Sequence, residues 1–289
     1  MKLFDLHCDS LYRGYTKNQP LGENRFHLDL KRGKRLDRWS QCFAVWIPDE
    51  LRGKAAMALF DGCCEKFRRE LAPYRSETFS PVLTVEGGAV LGGKLANLEK
   101  LADCGVKMMT LTWNGENELG GGADTALGLT TFGREALKEM ERLSIVADVS
   151  HASDALFYDV AEIAEKPIVA SHSNARAVCP HPRNLTDRQF QVLRDKGGLV
   201  GLNFCVHFLR EDSNAHFEDL LRHADHFWSL GGETTLCLGS DYDGADVPPE
   251  LDGIEKMQDL YELFLKHNYK ESLVNSLFFD NASKFFATL

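Results

Sequence analysis

Nowhere in these 289 residues do eighteen apolar residues follow one another, so no membrane-spanning helix is expected. The N-terminal MKLFDLHCDS carries an acid inside its only apolar run, which is too short for the core of a secretory signal. Positive charge is also scarce. Lys and Arg total 33 against 43 Asp and Glu, a formal net charge of −10, and the densest basic cluster, KRGKR at 31–35, reads as a solvated loop. A nucleic-acid partner is therefore not expected, because phosphate binding needs a basic face. The eight cysteines include no C-x-x-C pair, and the adjacent Cys63 and Cys64 point in different directions on a predicted helix. They read as buried free thiols of a reducing, cytoplasmic setting. No low-complexity linker, fixed-period repeat or composition shift divides the chain, so residues 1–289 are read as one domain, with 44% hydrophobic content to fill its core.

What is present is alternation. Short apolar runs recur at 2–7, 42–47, 81–86, 107–112, 144–151, 167–172, 198–204 and 235–241. Segments with apolar residues three and four apart lie between them, at 55–71, 95–105, 132–143, 153–166, 186–198 and 216–232. The tail beyond residue 253 reads as further helices packing aromatic faces on the body. Continuous apolar strands alternating with amphipathic helices predict a parallel sheet covered by helices. Eight such units in this length predict a closed (β/α)8 TIM barrel.

In such a barrel the reacting groups sit at the C-terminal ends of the strands. Run one ends in His7 with Asp9 just beyond, and strand alternation aims both the same way. Run three ends in Glu86, run five in His151, run six in His172 and run eight in Asp241. Three imidazoles with carboxylates suit zinc or a similar divalent ion, and six candidate ligands exceed what one catalytic ion takes, so two ions sharing a carboxylate are expected. Singly, each residue has an ordinary reading: a histidine near a strand end is more often hydrogen-bonded structure, and an aspartate there caps a turn. The joint pattern at five run ends is what points to a site. His216, His223 and His226 lie on one predicted helix, where His223 and His226 are expected at the solvent. Segment 113–130 is long for a connection and predicts a loop over the mouth, its triple glycine serving flexibility or a tight turn. Arg183 either clamps a substrate carboxylate or lies on the surface. Trp113 is either a wall for a substrate side chain or packing at the mouth.

The stretches DLHCDSL, LTVEGG, MTLTWN, ADVSHAS, ASHSNARAVCPHPRN and LGSDYDG, in that order along nearly the whole chain, resemble the membrane dipeptidase (renal dipeptidase) family of zinc peptidases, within the amidohydrolase-like barrels. The resemblance implies a binuclear zinc dipeptidase, usually a homodimer, that cleaves dipeptides including those with a C-terminal D-residue. It implies that His7 and Asp9 hold one zinc, His151 and His172 the other, and that Glu86 bridges them. It further implies that Arg183 meets the dipeptide carboxylate and that Asp241 contacts the attacking water and the substrate amine. One departure stands out: Trp113 occupies the place of a histidine in the animal enzymes, and an indole can neither carry a proton between groups nor become cationic. Two other readings stay open: a barrel metallohydrolase for another amide, such as an N-acyl amino acid or a cyclic amide, and a non-catalytic metal- or ligand-binding relative.

Overall fold

The computed structural model describes residues 1–289. Seven strands form one sheet: β1 (Lys2–Asp5), β2 (Arg38–Trp46), β3 (Phe79–Glu86), β4 (Val106–Thr110), β5 (Val146–Asp148), β6 (Val200–Leu202) and β7 (Leu236–Leu238). Their order is β5-β4-β3-β2-β1-β7-β6, and every pairing is parallel. All C-terminal ends therefore open on one side, here called the mouth.

The expected closed barrel of eight ladder strands is corrected by one element. Residues 167–172 do not form a strand. Val169 makes a single parallel bridge to Asp148 at one sheet edge, and Ala170 makes another to Val200 at the other. The physical reason lies in two glycines. A Cβ on Gly201 or on Gly239 would meet the Ser171 carbonyl oxygen, so these positions let the Ser171 backbone crowd inward past β6 and β7. The chain there leaves ladder geometry and delivers His172 to the middle of the mouth.

The predicted helices form close to their expected bounds, including Gly53–Glu70, Thr131–Arg142 and Asp187–Asp195. Thr130, Ser153 and Thr186 cap their helices through side-chain oxygens that accept backbone N–H groups, and Thr186 with Gln189 completes a capping box. The outer faces of the strands join the helices in one cluster of 66 buried residues running from Leu3 to Phe278. A second cluster sits within the sheet's curve, away from the mouth. Phe4, Leu6, Cys42, Met108, Val146, Val169, Leu199 and Cys237 meet there, and Phe279 and Ala282 of the C-terminal helical segment join them. The tail thus plugs the end opposite the mouth. No helix is long and apolar enough to cross a membrane.

All eight cysteines are free, and seven are buried. His223 is corrected: it is fully buried, with Nδ1 accepting from the Ala175 N–H (3.1 Å) and Nε2 donating to the Leu209 carbonyl (3.1 Å). Segments 174–175 and 206–209 cover that helix face, which the stripe of apolar residues alone does not reveal. His226 is half-buried against Asp187 at 2.7 Å.

Candidate metal centre

The five run ends meet. His7 Nε2 lies 3.4 Å from Asp9 Oδ2, 3.7 Å from Glu86 Oε2 and 3.9 Å from Asp241 Oδ1. Across Glu86, its Oε1 lies 2.8 Å from His151 Nε2 and 3.4 Å from His172 Nε2. Glu86 thus presents one oxygen to each half of the cluster. The donor atoms of His7, Glu86 and His172 fall within 4.8 Å of one another, as do those of His7, Asp9 and Asp241. All six residues are buried.

Local backbone explains each placement. β1 ends at Asp5, so His7 and Asp9 are aimed alike not by strand alternation but by the segment after it, where Cys8 bridges Tyr242 and turns into the apolar core. Glu86 is the last residue of β3. His151 (φ 65°) and Asp241 (φ 61°) adopt left-handed backbone, which costs a non-glycine residue about 1–2 kcal/mol and turns each side chain sharply off its strand. At Gly244 a Cβ would meet Asp9 Oδ2 and Asp241 Oδ1, so only glycine leaves these two carboxylates room to converge.

The hydrogen bonds around the histidines decide which nitrogens turn a lone pair toward the cluster. His172 Nδ1 lies 2.8 Å from Ser171 Oγ, whose hydroxyl donates to Asp148 Oδ2 at 2.5 Å. The Ser171 oxygen therefore accepts from His172 Nδ1–H. His151 Nδ1 donates to Asn114 Oδ1 at 2.7 Å. Both imidazoles thus turn a lone pair on Nε2 inward, and those two Nε2 atoms stand 2.9 Å apart beside the Glu86 carboxylate. Two lone pairs at that distance repel unless a cation is shared among them. His7 Nε2 and Asp9 Oδ1 are buried with no hydrogen-bond partner at all. Imidazole nitrogens and carboxylate oxygens in this number fit one or two borderline divalent ions.

Electrostatics agree. Burial pushes His151 and His172 well below the usual imidazole range, with nearby Arg183 and His7 adding to it, so both stay neutral and ligand-competent. Burial pushes the Glu86 carboxyl well up and Asp9 up, because negative charge is costly there without a counter-ion. Burial would lower His7 too, but Glu86, Asp9 and Asp241 outweigh it and hold the imidazole up at about 10. The cluster demands positive charge.

The mouth is a cleft of about 640 Å³ lined by Asp9, Glu86, His151 and Asp241 of the cluster together with Tyr12, Trp46, Trp113, Arg183 and Phe208. Arg183 is buried, which removes the surface reading. Its guanidinium lies over the Phe208 ring, its Nε has no partner, and its only side-chain hydrogen bond is a 3.5 Å donation to the His172 carbonyl. Trp113 packs edge-on against Trp46 (5.0 Å between centroids), which packs edge-on against Tyr12 (5.0 Å), giving the cleft one aromatic wall. Segment 113–130 is folded back by antiparallel bridges Glu116–Gly121, Gly120–Leu129 and Gly122–Ala152, so its glycines serve close backbone packing.

Sequence reasoning missed the supporting layer. Asn203 donates to Asp241 Oδ2 at 2.9 Å, Asn114 orients His151, and Asp148 with Ser171 orients His172. Asp5 accepts from Ser240 N–H and Oγ and from Gln41, tying β1, β2 and β7 together beneath His7. Asp5, Asp148 and Asn203 each stand at or just past a strand end, and that position was the available signal.

Comparison with known proteins places the molecule. A crystal structure of a metallo peptidase of family M19, described as dipeptidase AC, superposes with a TM-score of 0.92 at 30% identity, covering 98% of this chain and 97% of that one. A metallo peptidase from Rhodobacter sphaeroides, crystallised with a phosphinate mimic of the dipeptide L-Ala-D-Ala, superposes with a TM-score of 0.89 at 28% identity over 99% of both chains. A Klebsiella pneumoniae protein, described only as an uncharacterized protein in the pqqA 5' region, is 36% identical over 212 residues, 69% of this chain and 78% of that protein. The family model for membrane dipeptidases, peptidase family M19, matches residues 1–288, and the chain belongs to that family.

Proposed function

We propose that the protein is a binuclear zinc dipeptidase that accepts dipeptides with a C-terminal D-residue, L-Ala-D-Ala being the simplest. The observation that carries this is the pair of inward Nε2 lone pairs of His151 and His172, 2.9 Å apart against one oxygen of Glu86, while the other oxygen faces His7. In this reading His151 and His172 hold one ion, His7 and Asp9 hold the second, and Glu86 bridges. When bound, such ions supply Lewis acidity that brings the pKa of a water toward neutrality and polarises a scissile carbonyl.

The protein's own groups do the rest. Asp241, placed 3.9 Å from His7 and held by Asn203, accepts the proton of the attacking water and passes it to the departing amine. Arg183, buried with donors to spare, binds the substrate carboxylate and fixes the length of substrate that fits between it and the cluster. The wall of Tyr12, Trp46 and Trp113 packs against a substrate side chain and excludes water from that flank. Trp113 cannot relay a proton, so in this chain the proton traffic rests on Asp241. We read the seven-stranded parallel sheet and its helices as a TIM-like barrel. Free buried thiols support a cytoplasmic setting, and family membership supports a homodimer.

Asp241→Asn tests the assignment of the base. Release of D-Ala from L-Ala-D-Ala by zinc-loaded protein is expected to fall by roughly 10²–10⁴-fold in kcat with both ions retained. Full turnover in that variant removes Asp241 from the mechanism.

A further inference from the structure

Beneath the cluster, Asp148 has a hydrogen-bond arrangement with a direction built into it. Its Oδ1 accepts two backbone N–H groups, from Ser150 (2.9 Å) and Ser171 (3.0 Å). Its Oδ2 accepts two hydroxyls, from Thr110 (2.7 Å) and Ser171 (2.5 Å). Ser171 Oγ in turn meets His172 Nδ1 at 2.8 Å. All five residues are buried, so water does not compete for these bonds. A carboxylate can only accept, and that single fact orders the chain: Ser171 must donate to Asp148, so its oxygen accepts from His172, so the imidazole proton sits on Nδ1 and the lone pair on Nε2.

We propose that Asp148 is a positioning residue which, through Ser171, sets the tautomer of His172 and thereby makes its Nε2 available to a metal. The inference rests on the reading of His172 as a ligand, but its first consequence can be observed with no metal present. It predicts that an isosteric change is worse than a truncation. In Asp148→Asn the two backbone N–H groups hold the amide oxygen in the place of Oδ1, because the opposite rotamer would set the amide NH₂ against two donors. The NH₂ must then occupy the place of Oδ2 and donate to Ser171. Ser171 donates onward to His172 Nδ1, at 2.8 Å a nearer acceptor than Ser150 Oγ at 3.4 Å, and the proton moves to Nε2. The polarity of the relay reverses, and the inward lone pair is lost. In Ser171→Ala the relay is only cut, and both tautomers become populated.

The test is long-range proton–nitrogen NMR on full-length protein carrying ¹⁵N-histidine, stripped of metal, followed by zinc affinity measured by chelator competition on the same samples. Expected are Nδ1–H in the parent, Nε2–H in Asp148→Asn and a mixture in Ser171→Ala. Zinc affinity should fall about 100-fold in Asp148→Asn and about tenfold in Ser171→Ala, the range typical of lost outer-sphere partners. An Nδ1–H signal retained in Asp148→Asn overturns the proposal, as does a greater loss of affinity in Ser171→Ala than in Asp148→Asn. A reversed tautomer with unchanged zinc affinity upholds the relay and instead removes His172 from the ligand set. Should Asp148→Asn not fold, the parent spectrum decides: Nε2–H there overturns the relay.

Discussion

Replacing Glu86 by Gln keeps the shape of the side chain and removes the one negative charge that both halves of the cluster share. Its effect should have opposite signs in the metal-free and metal-loaded protein. In the metal-free protein, burial holds the Glu86 carboxyl well above its usual range. A carboxyl raised in the folded state costs stability at every pH above its unfolded value, so the neutral amide should stabilise the metal-free fold at pH 7. In the loaded protein each ion loses an anion within about 4 Å. At an effective dielectric constant near 20 even one unit-charge interaction at that distance is worth about 4 kcal/mol, so each doubly charged ion should lose at least roughly a thousandfold in affinity. Thermal melts with and without zinc, paired with isothermal titration, read both quantities. Glu86→Gln should melt higher than the parent without metal and lower with it. A variant that binds two equivalents of zinc with parental affinity would refute the bridging role and the charge accounting behind it.

Gly244→Ala tests how closely the Asp9 and Asp241 carboxylates must approach. The new methyl group would occupy the space between their oxygens, and Gly244 does not need left-handed backbone, so the effect is steric. One of the two zinc equivalents should weaken by at least about tenfold while the other is retained, which titration with metal analysis separates. His223 gives a stability prediction independent of the site. Burial depresses its pKa from 6.5 to about 4, so the folded protein keeps it neutral while the unfolded chain protonates it below pH 6.5. Its contribution is complete above pH 6.5 and is lost as pH falls toward 4, by about 3 kcal/mol in all. Urea unfolding across that window should show a shallower pH dependence in His223→Gln, and an unchanged slope would mean that His223 titrates normally in the fold.

The candidate ligands were legible in the sequence because a parallel α/β fold puts strand ends on one face, so His7, Glu86, His151, His172 and Asp241 could be gathered without knowing any distance. The strand pattern was legible for the same reason, since two-sided burial makes the runs continuously apolar. Residues 167–172 share that apolar signature, and their departure from the ladder depends on glycines at 201 and 239, some thirty and seventy residues away. His223 was misread because its helix face is covered by segments 174–175 and 206–209, and a histidine satisfied by backbone groups leaves no mark on helical periodicity. Asp148, Ser171, Asn114 and Asn203 escaped notice because their importance lies in which atom they turn toward a ligand, a property of tertiary hydrogen bonding that residue type does not carry. Arg183 could be either buried or exposed in sequence terms, and only the cleft geometry decides between them.

Anomalous diffraction at the zinc absorption edge, from crystals of the zinc-loaded protein, tests most directly whether these scattered imidazoles and acids hold two cations. Two peaks are predicted, one contacting His151 and His172, the other contacting His7 and Asp9, with Glu86 between them. A single peak, or zinc bound only elsewhere on the molecule, would contradict the two-ion centre.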